Sequence, residues 1–300
     1  MRDKTERSFS EKWLTDVGRV YGKKDDNVEE QFLSILGAAS ENDLYNIFED
    51  GTLCLDAGCG VGWAEELFNI NKNMERYAVD LSDSVLVAQE RTKHMDNVHV
   101  IKADIGRLPF RKNVFDIIFS NGVLHHTGNT EKYFSKLCYH LKPGGLIGVY
   151  IYCKKPFIRD LVDTVIRENY TTYWSFDECL KFSKTLSKLG RSFQNINEYI
   201  IIEEDIPLLN IESGVYRVHD FIYNHFLKCF YNDKQGLDVS TLVNVDWYHP
   251  AIATFHTLAE ITGWFEDNNI IESVKVIQPK GWEHSGWFVS GRKARNGFEK

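Results

Sequence analysis

The chain has 300 residues and 43% of them are hydrophobic, enough for the core of one large domain or of a domain with an insertion. Its 35 basic and 43 acidic residues give a formal net charge of -8, which argues against a nucleic-acid partner. The N-terminal sequence is charged and no apolar run reaches the ~18 residues of a membrane span, so we expect a cytoplasmic protein with no membrane partner. The six cysteines form no C-x-x-C pair, which predicts buried thiols and no metal site.

Helical and strand-like segments alternate through the first half of the chain. The spacing of apolar residues in 27–40 predicts a helix that ends near Gly37. Five apolar runs then predict buried strands: 52–57, 76–81, 98–104, 115–122 and 145–152. Helical patterns lie between them at 64–70, 82–94 and 130–141. This βαβα order predicts a parallel sheet covered by helices on both faces.

The pattern changes after Tyr152. Residues 153–245 look mainly helical, with a capping box at Ser175 and Glu178. One apolar helical stripe is predicted there, formed by Val215, Val218, Ile222, Phe226 and Cys229. A last helix at 257–269, capped by Thr257 and Glu260, precedes strands at 273–278 and 287–293 joined by a turn at 279–286.

These patterns predict an α/β fold, a doubly wound, mostly parallel seven-stranded sheet with a C-terminal antiparallel hairpin and a helical insertion that forms a lid. The expected divisions are an N-terminal helical segment (1–50), a cofactor-binding core (51–152), the insertion (153–248), and a final helix and hairpin (249–300).

The stretch LDAGCGVGW, residues 55–63, is a glycine-rich turn after the first strand. Such a turn brings a ligand close to backbone N–H groups. The dinucleotide pattern is G-x-G-x-x-G, whereas this loop has G-x-G-x-G and places Trp63 where the last glycine belongs. Asp56 precedes the loop, and its carboxylate would repel a pyrophosphate but attract a cation. The loop therefore favours a ligand with positive charge.

Two further acids end the next strands. Asp80 lies 24 residues beyond Asp56, where a carboxylate can accept hydrogen bonds from the hydroxyls of a ribose. Asp104 can accept a hydrogen bond from an exocyclic amine such as that of adenine. Each acid alone fits the cap of the following helix equally well. Together, the three outline a site for a cationic adenosine.

With these residues the sequence resembles the class I S-adenosylmethionine-dependent methyltransferases, particularly the small-molecule group that includes the ubiquinone and menaquinone C-methyltransferases. The similar stretches are LDAGCGVG, YAVDLS, KADIGRLPF, FDIIFSNGVLHH and LKPGGLIGVY. The resemblance implies S-adenosylmethionine as cofactor, with S-adenosylhomocysteine as product. It also implies a set of cofactor-binding residues: Trp13, Asp56, Gly58, Cys59, Gly60, Asp80, Leu81, Asp104, Ile105, Asn121 and Gly122.

Within this implied set, Asp56 lies by the methionine amino group and Asp80 holds the ribose. Asp104 and Ile105 flank the adenine. Trp13, in the N-terminal stretch RSFSEKW, closes over the site.

Four residues are candidates for catalysis. His125 and His126 follow the fourth strand, where a loop opens onto the carboxyl edge of the sheet, and one of the two is expected to be structural. Tyr248 and His256 lie in the stretch that connects the insertion to the final helix. Their side chains would either reach an acceptor or pack within a hinge.

The sequence therefore predicts transfer of a methyl group to a small-molecule acceptor, with oxygen favoured and a sugar, a phosphate or a natural-product intermediate as options. One alternative is a non-catalytic S-adenosylmethionine-binding sensor or scaffold, and another is an NAD-dependent oxidoreductase, which the glycine spacing opposes. Aromatic residues in the insertion fit a homodimer contact as well as closure over a ligand.

Overall fold

The computed structural model of the chain describes residues 1–20, 26–67, 73–279 and 285–295. Within these ranges the strands are Leu53–Ala57 (β1), Glu75–Asp80 (β2), Val98–Lys102 (β3), Phe115–Asn121 (β4), Leu141–Tyr152 (β5), Tyr199–Ile202 (β6), Gly214–Arg217 (β7), Ile270–Ile277 (β8) and Gly286–Lys293 (β9). The α-helices are Arg2–Leu14 (α1), Asp16–Val20 (α2), Asp26–Leu36 (α3), Glu41–Ile47 (α4), Trp63–Leu67 (α5), Val85–Thr92 (α6), Thr130–His140 (α7), Phe157–Asn169 (α8), Phe176–Gln194 (α9), Val218–His225 (α10), Gly236–Tyr248 (α11) and Leu258–Asp267 (α12).

The chain divides into two compact units. We call Met1–Gly18 with Lys154–Ala251 the insertion unit, and Arg19–Cys153 with Ile252–Lys300 the sheet unit. The two ends of the insertion lie close to the boundaries expected from the sequence. The first 50 residues differ from the expected single segment, because 1–18 group with the insertion and 19–50 with the sheet.

The sheet unit contains a seven-stranded sheet in the order β3-β2-β1-β4-β5-β9-β8. The first five strands are parallel, and β9 pairs antiparallel with both β5 and β8. This confirms the predicted mostly parallel sheet with a C-terminal antiparallel pair. The chain runs outward from β1 to β3 and then returns to β4 on the other side of β1. The carboxyl ends of β1 and β4 therefore flank the crevice where ligands bind in such sheets.

Helices cover both faces of this sheet. On one face Phe134 of α7 stacks on Phe265 of α12, with 4.8 Å between ring centroids. On the other, α3 packs so closely on β5 that a Cβ at Gly148 would lie 2.0 Å from the Ile35 carbonyl oxygen. The helix α3 ends at the predicted position, where Gly37 has φ +67. The sheet is thus enclosed as the alternating sequence pattern predicts.

The insertion unit contains the helices α8 to α11 and an antiparallel hairpin of β6 and β7. The hairpin was not expected from the sequence. Val215 lies in β7 with 68% of its surface exposed, so the prediction that it joins a helical stripe is wrong. The run Tyr199–Ile202 is rich in β-branched residues, which favour a strand. The predicted capping box at Ser175 is confirmed, as is the one at Thr257.

Two of the predicted elements extend beyond the described residues. The helix predicted at 64–70 is described to Leu67, and the turn at 279–286 falls largely outside the described residues. None of the helices in the described ranges is long and apolar enough to cross a bilayer. The six cysteines are free and buried, and the described residues contain no group of three or more metal-ligating side chains.

Candidate functional site

The glycine loop leaves β1 and is fastened to the neighbouring strand. The backbone N–H groups of Gly58 and Cys59 both donate to the Val79 carbonyl oxygen, at 2.7 and 3.0 Å. Gly58 has φ +104, and a Cβ there would lie 2.1 Å from Cγ2 of Val123. Gly62 has φ +73 and packs against Ala88, 2.9 Å from where its Cβ would be. The glycines thus allow a backbone path and a close approach that a side chain would block.

Asp80, at the end of β2, holds the loop in place. Its Oδ2 accepts a hydrogen bond from the Gly60 N–H at 2.9 Å. Its Oδ1 accepts from the N–H and the hydroxyl of Ser82, at 2.8 and 2.6 Å. A carboxylate offers about four acceptor positions, so Oδ2 retains capacity for a hydroxyl of a ligand. Leu81, which lies between Asp80 and Ser82 in the sequence, is half-buried.

Asp56 is a buried carboxylate next to the loop, with 3% of its surface exposed. Within the described residues it accepts no hydrogen bond. Burial raises its pKa well above the usual value, and the charges of Glu65 and Asp80 raise it further. An acid in this position gains from a cationic ligand, because a nearby positive charge favours its ionised form.

Glu65 is a member of the site that sequence reasoning missed. It lies in α5 with 1% exposure, and burial raises its pKa to about 7 although the Arg76 guanidinium opposes the shift. Arg76 Nη1 lies 3.3 Å from Glu65 Oε2 and donates to the Glu65 carbonyl oxygen at 2.7 Å. An arginine inside the apolar run of β2 was the available signal, because a buried charge needs a partner.

Asp104 follows β3 and forms a local turn. Its Oδ1 accepts from the Gly106 N–H at 2.9 Å, and its Oδ2 lies 3.5 Å from the Tyr133 hydroxyl. Arg107 Nε is 3.7 Å from the same carboxylate. These bonds are those of an aspartate that stabilises a turn, and no helix begins at Asp104, so the helix cap that the sequence offered as an alternative is absent at this position. The neighbouring Ile105 is 6% exposed and packs in the main core.

Asn121 and Gly122 end β4 on the other side of the crevice. Asn121 Nδ2 donates to Oε1 of Gln31 in α3 at 3.4 Å, a contact that no sequence pattern indicated. Gly122 has φ +74, and a Cβ there would approach nothing closer than Cδ1 of Tyr150, at 4.0 Å. The loop glycines, Asp56, Asp80, Asn121 and Gly122 therefore lie together at the carboxyl ends of β1, β2 and β4.

The two adjacent histidines have different hydrogen bonds. Nδ1 of His125 accepts from the Tyr152 N–H at 3.3 Å, and the ring stacks on Tyr152 with 3.6 Å between centroids. Nδ1 of His126 lies 2.6 Å from the Ile252 carbonyl oxygen, so it carries the proton in that bond. The neutral ring of His126 then has its lone pair on Nε2. His125 is fully buried and His126 is 7% exposed.

The other two catalytic candidates, His256 and Tyr248, belong to different units. His256 belongs to the sheet unit, where its Nε2 is 2.9 Å from the Thr130 hydroxyl and 3.0 Å from the Thr254 hydroxyl. Tyr248 belongs to the insertion unit, is fully buried, and donates its hydroxyl to Asp163 at 2.7 Å. The prediction that Tyr248 reaches an acceptor does not fit this position. Trp13 lies on α1, also in the insertion unit, and its closure over the cofactor stays a prediction.

Comparison with known proteins gives one family for the central part of the chain. Residues 55–149 match the family described as the methyltransferase domain. A malonyl-[acyl-carrier protein] O-methyltransferase of Buchnera aphidicola subsp. Baizongia pistaciae is 36% identical over 31% of this chain and 36% of its own length. A demethylmenaquinone methyltransferase of Staphylococcus haemolyticus is 30% identical over 42% of this chain and 52% of its own length. Phosphoethanolamine N-methyltransferase 2 of Caenorhabditis elegans is 30% identical over 36% of this chain and 25% of its own length.

The strand order, the glycine loop and the match to the methyltransferase domain all indicate the same class of protein. Residues 55–149 form a class I S-adenosylmethionine-dependent methyltransferase domain. The chain spans between a quarter and about half of the length of the curated relatives named above. The cofactor of the class is S-adenosylmethionine, which carries a sulfonium and an ammonium. The concentration of carboxylates at the crevice fits these positive charges.

Proposed function

We propose that the protein transfers the methyl group of S-adenosylmethionine to a small-molecule acceptor. The observation that carries this proposal is the buried, unneutralised carboxylate of Asp56 beside Asp80 and the glycine loop. Such a group is costly to bury unless a cation accompanies it. The match of residues 55–149 to the methyltransferase domain supports the same conclusion.

The chain's own residues would bind and orient the cofactor. Asp56 would accept a hydrogen bond from its ammonium, and Oδ2 of Asp80 from a ribose hydroxyl. Asp104 and Ile105 would lie at the adenine, although Asp104 already serves its own turn. When bound, S-adenosylmethionine supplies a methyl group made electrophilic by the sulfonium. Holding an acceptor in line with it can remove roughly 7 to 11 kcal/mol of the barrier, so positioning dominates the rate.

A general base is needed only for an acceptor that must lose a proton, such as a hydroxyl. Of the two adjacent histidines, the hydrogen bonds favour His126, because Nδ1 of His125 already accepts a bond from the backbone. We propose an oxygen acceptor with His126 as base. A base contributes about 10²- to 10⁴-fold to a rate.

The His126→Ala variant tests this role in a single-turnover assay. We expect the rate of methyl transfer to fall by roughly 10²- to 10⁴-fold with cofactor affinity preserved. His94→Ala is the matched control, because His94 is exposed and precedes β3, whereas the crevice lies at the carboxyl ends of the strands. An unchanged rate in His126→Ala would leave positioning as the whole mechanism.

The insertion is proposed to select the acceptor. Residues 153–248 lie outside the matched methyltransferase domain, as expected of a part that varies with substrate. Curated relatives include an O-methyltransferase and an N-methyltransferase, so the match to the domain does not fix the acceptor atom. A homodimer, a cytoplasmic location and the absence of nucleic-acid partners are part of the same proposal.

The decisive experiment uses S-adenosylmethionine with an isotopically labelled methyl group. The purified chain is incubated with it and a cell extract, and labelled small molecules are identified by mass spectrometry. We expect a labelled product whose yield, at a cofactor concentration below saturation, falls about tenfold or more with the Asp80→Ala variant. Normal cofactor affinity by calorimetry without any labelled product would refute methyl transfer and favour the sensor or scaffold alternative.

A further inference from the structure

Three cationic side chains share one aromatic ring in the insertion unit. Lys155, Arg159 and Lys228 lie around the indole ring of Trp247. Their side-chain nitrogens, or the guanidinium carbon of Arg159, are 4.9 to 5.5 Å from the ring centroid. The one buried carboxylate described among them is that of Asp163. Arg159 is paired with Asp163, and the Asp160 carboxylate lies near Lys155, so Lys228 is the cation of interest here.

Asp163 has no capacity left to neutralise a further cation. Its Oδ2 accepts from Arg159 Nε at 2.5 Å and from Trp247 Nε1 at 2.9 Å. Its Oδ1 accepts from the Tyr248 hydroxyl at 2.7 Å and from the Lys228 backbone N–H at 3.3 Å. Four donors occupy about the four acceptor positions that a carboxylate offers. Asp163 therefore serves the packing of this unit.

Lys228 is the cation without a counter-ion. Only 7% of its surface is exposed, and within the described residues no carboxylate lies within ion-pair distance of its ammonium. Nζ donates one hydrogen bond, to the Tyr223 hydroxyl at 2.9 Å. The rings of Tyr223, Phe230 and Trp247 surround it at 5.0 to 5.5 Å. Aromatic faces compensate a buried ammonium only in part, so an anion at this position would be strongly favoured.

A second buried side chain, with a nitrogen left unpartnered within the described residues, packs against Tyr223. His219 is one turn before Tyr223 on α10, is 6% exposed, and stacks on the Tyr223 ring with 5.8 Å between centroids. Its Nδ1 lies 3.1 Å from a carboxylate oxygen of Asp220, while its buried Nε2 has no hydrogen-bond partner among the described residues. When the ring carries a proton on both nitrogens, Nε2 donates as well, and this group and the Lys228 ammonium then both suit a ligand with oxygen atoms.

We propose that this cluster, formed by Lys155, His219, Tyr223, Lys228 and Trp247, binds an organic anion through a phosphate or carboxylate group. The cations and His219 would hold the charged group, and the rings of Tyr223 and Trp247 would contact the adjoining apolar part. If the methyl-transfer proposal holds, on which this extension rests, the acceptor is an anionic small molecule and the insertion recognises its charge.

Isothermal titration calorimetry of the full chain with three related probes tests the site. Phenyl phosphate and benzoate represent the two anionic groups, and benzyl alcohol is the neutral control, all at one ionic strength. We expect saturable binding of at least one anion and none of benzyl alcohol. The Lys228→Met variant should weaken this binding about tenfold or more, and Lys228→Arg should retain most of it.

Two further variants keep the test decisive if Lys228→Met does not fold. Lys155 is half-buried at the edge of the cluster, and we expect Lys155→Met to weaken anion binding by roughly threefold or more. Lys188→Met changes an exposed lysine of α9 and should have no effect. Any of three results would overturn the anion site. These are binding of benzyl alcohol as tight as that of the anions, no binding of either anion, and an unchanged affinity for the anion in both Lys228→Met and Lys155→Met. Cofactor affinity is measured in parallel, and its absence in the unaltered chain would instead refute the proposed function.

Discussion

Replacing Asp80 by alanine is the most direct test of the cofactor site. The carboxylate accepts three hydrogen bonds, from Gly60 and Ser82, and retains capacity on Oδ2 for a ribose hydroxyl. A hydrogen bond to a charged group contributes about 1.5 to 3 kcal/mol. Its loss alone would weaken cofactor binding by roughly 10- to 150-fold. The released Gly60 N–H would loosen the loop and add to this loss.

Calorimetric titration with S-adenosylhomocysteine measures the effect, and thermal unfolding checks that the variant is folded. Asp83→Ala is the matched control. Asp83 lies three residues further along, and its carboxylate pairs with Lys102 at 2.6 Å on the exposed surface. Such an exposed pair contributes about 1 kcal/mol or less to stability, so its loss should leave the fold intact. If Asp80→Ala binds the ligand as tightly as Asp83→Ala does, the assignment of Asp80 to the ribose is wrong.

Three further outcomes follow from the site. Cofactor affinity should fall as the pH is lowered from neutral, because Asp56 with its raised pKa takes up a proton before an ordinary carboxylate does. Calorimetry at several pH values should show a smaller change of cofactor affinity with pH for Asp56→Asn than for the unaltered chain. Parallel pH profiles of the two proteins would contradict this reasoning. Arg76→Met should lower the free energy of unfolding in urea by about 3 to 5 kcal/mol, since it leaves Glu65 buried without its cation. This loss should grow as the pH rises through the Glu65 pKa of about 7, where the carboxyl ionises, and a pH-independent loss would contradict the pairing. Gly58→Ala should lower the melting temperature and abolish cofactor binding, because its Cβ would meet the Val123 side chain and take up a strained φ of +104. Adding Val123→Ala should restore stability only in part, since it removes the two Cγ contacts but leaves the Cβ of residue 123 at 2.8 Å and the strain unchanged. Wild-type behaviour of Gly58→Ala would refute the close approach.

The catalytic candidates show where sequence reasoning stopped. Adjacent His125 and His126 are equivalent in sequence, and only their partners, the Tyr152 N–H and the Ile252 carbonyl oxygen, separate them. Tyr248 lies near His256 in sequence, yet it is in the interior of another unit, bonded to a carboxylate 85 positions away. Such pairings depend on distant segments and leave no local pattern.

The amino-acid sequence by itself determined the sheet, its antiparallel end and the glycine loop. These features follow from periodicity and from glycine spacing, which are properties of neighbouring residues. It also placed Asp56 and Asp80 at one edge, because parallel strands end together. Only the tertiary structure revealed the Glu65–Arg76 pair, the β6–β7 hairpin and the cationic side chains around Trp247. Each of these arises when segments far apart in sequence exclude water from the same interior, and burial then decides which charges need a partner.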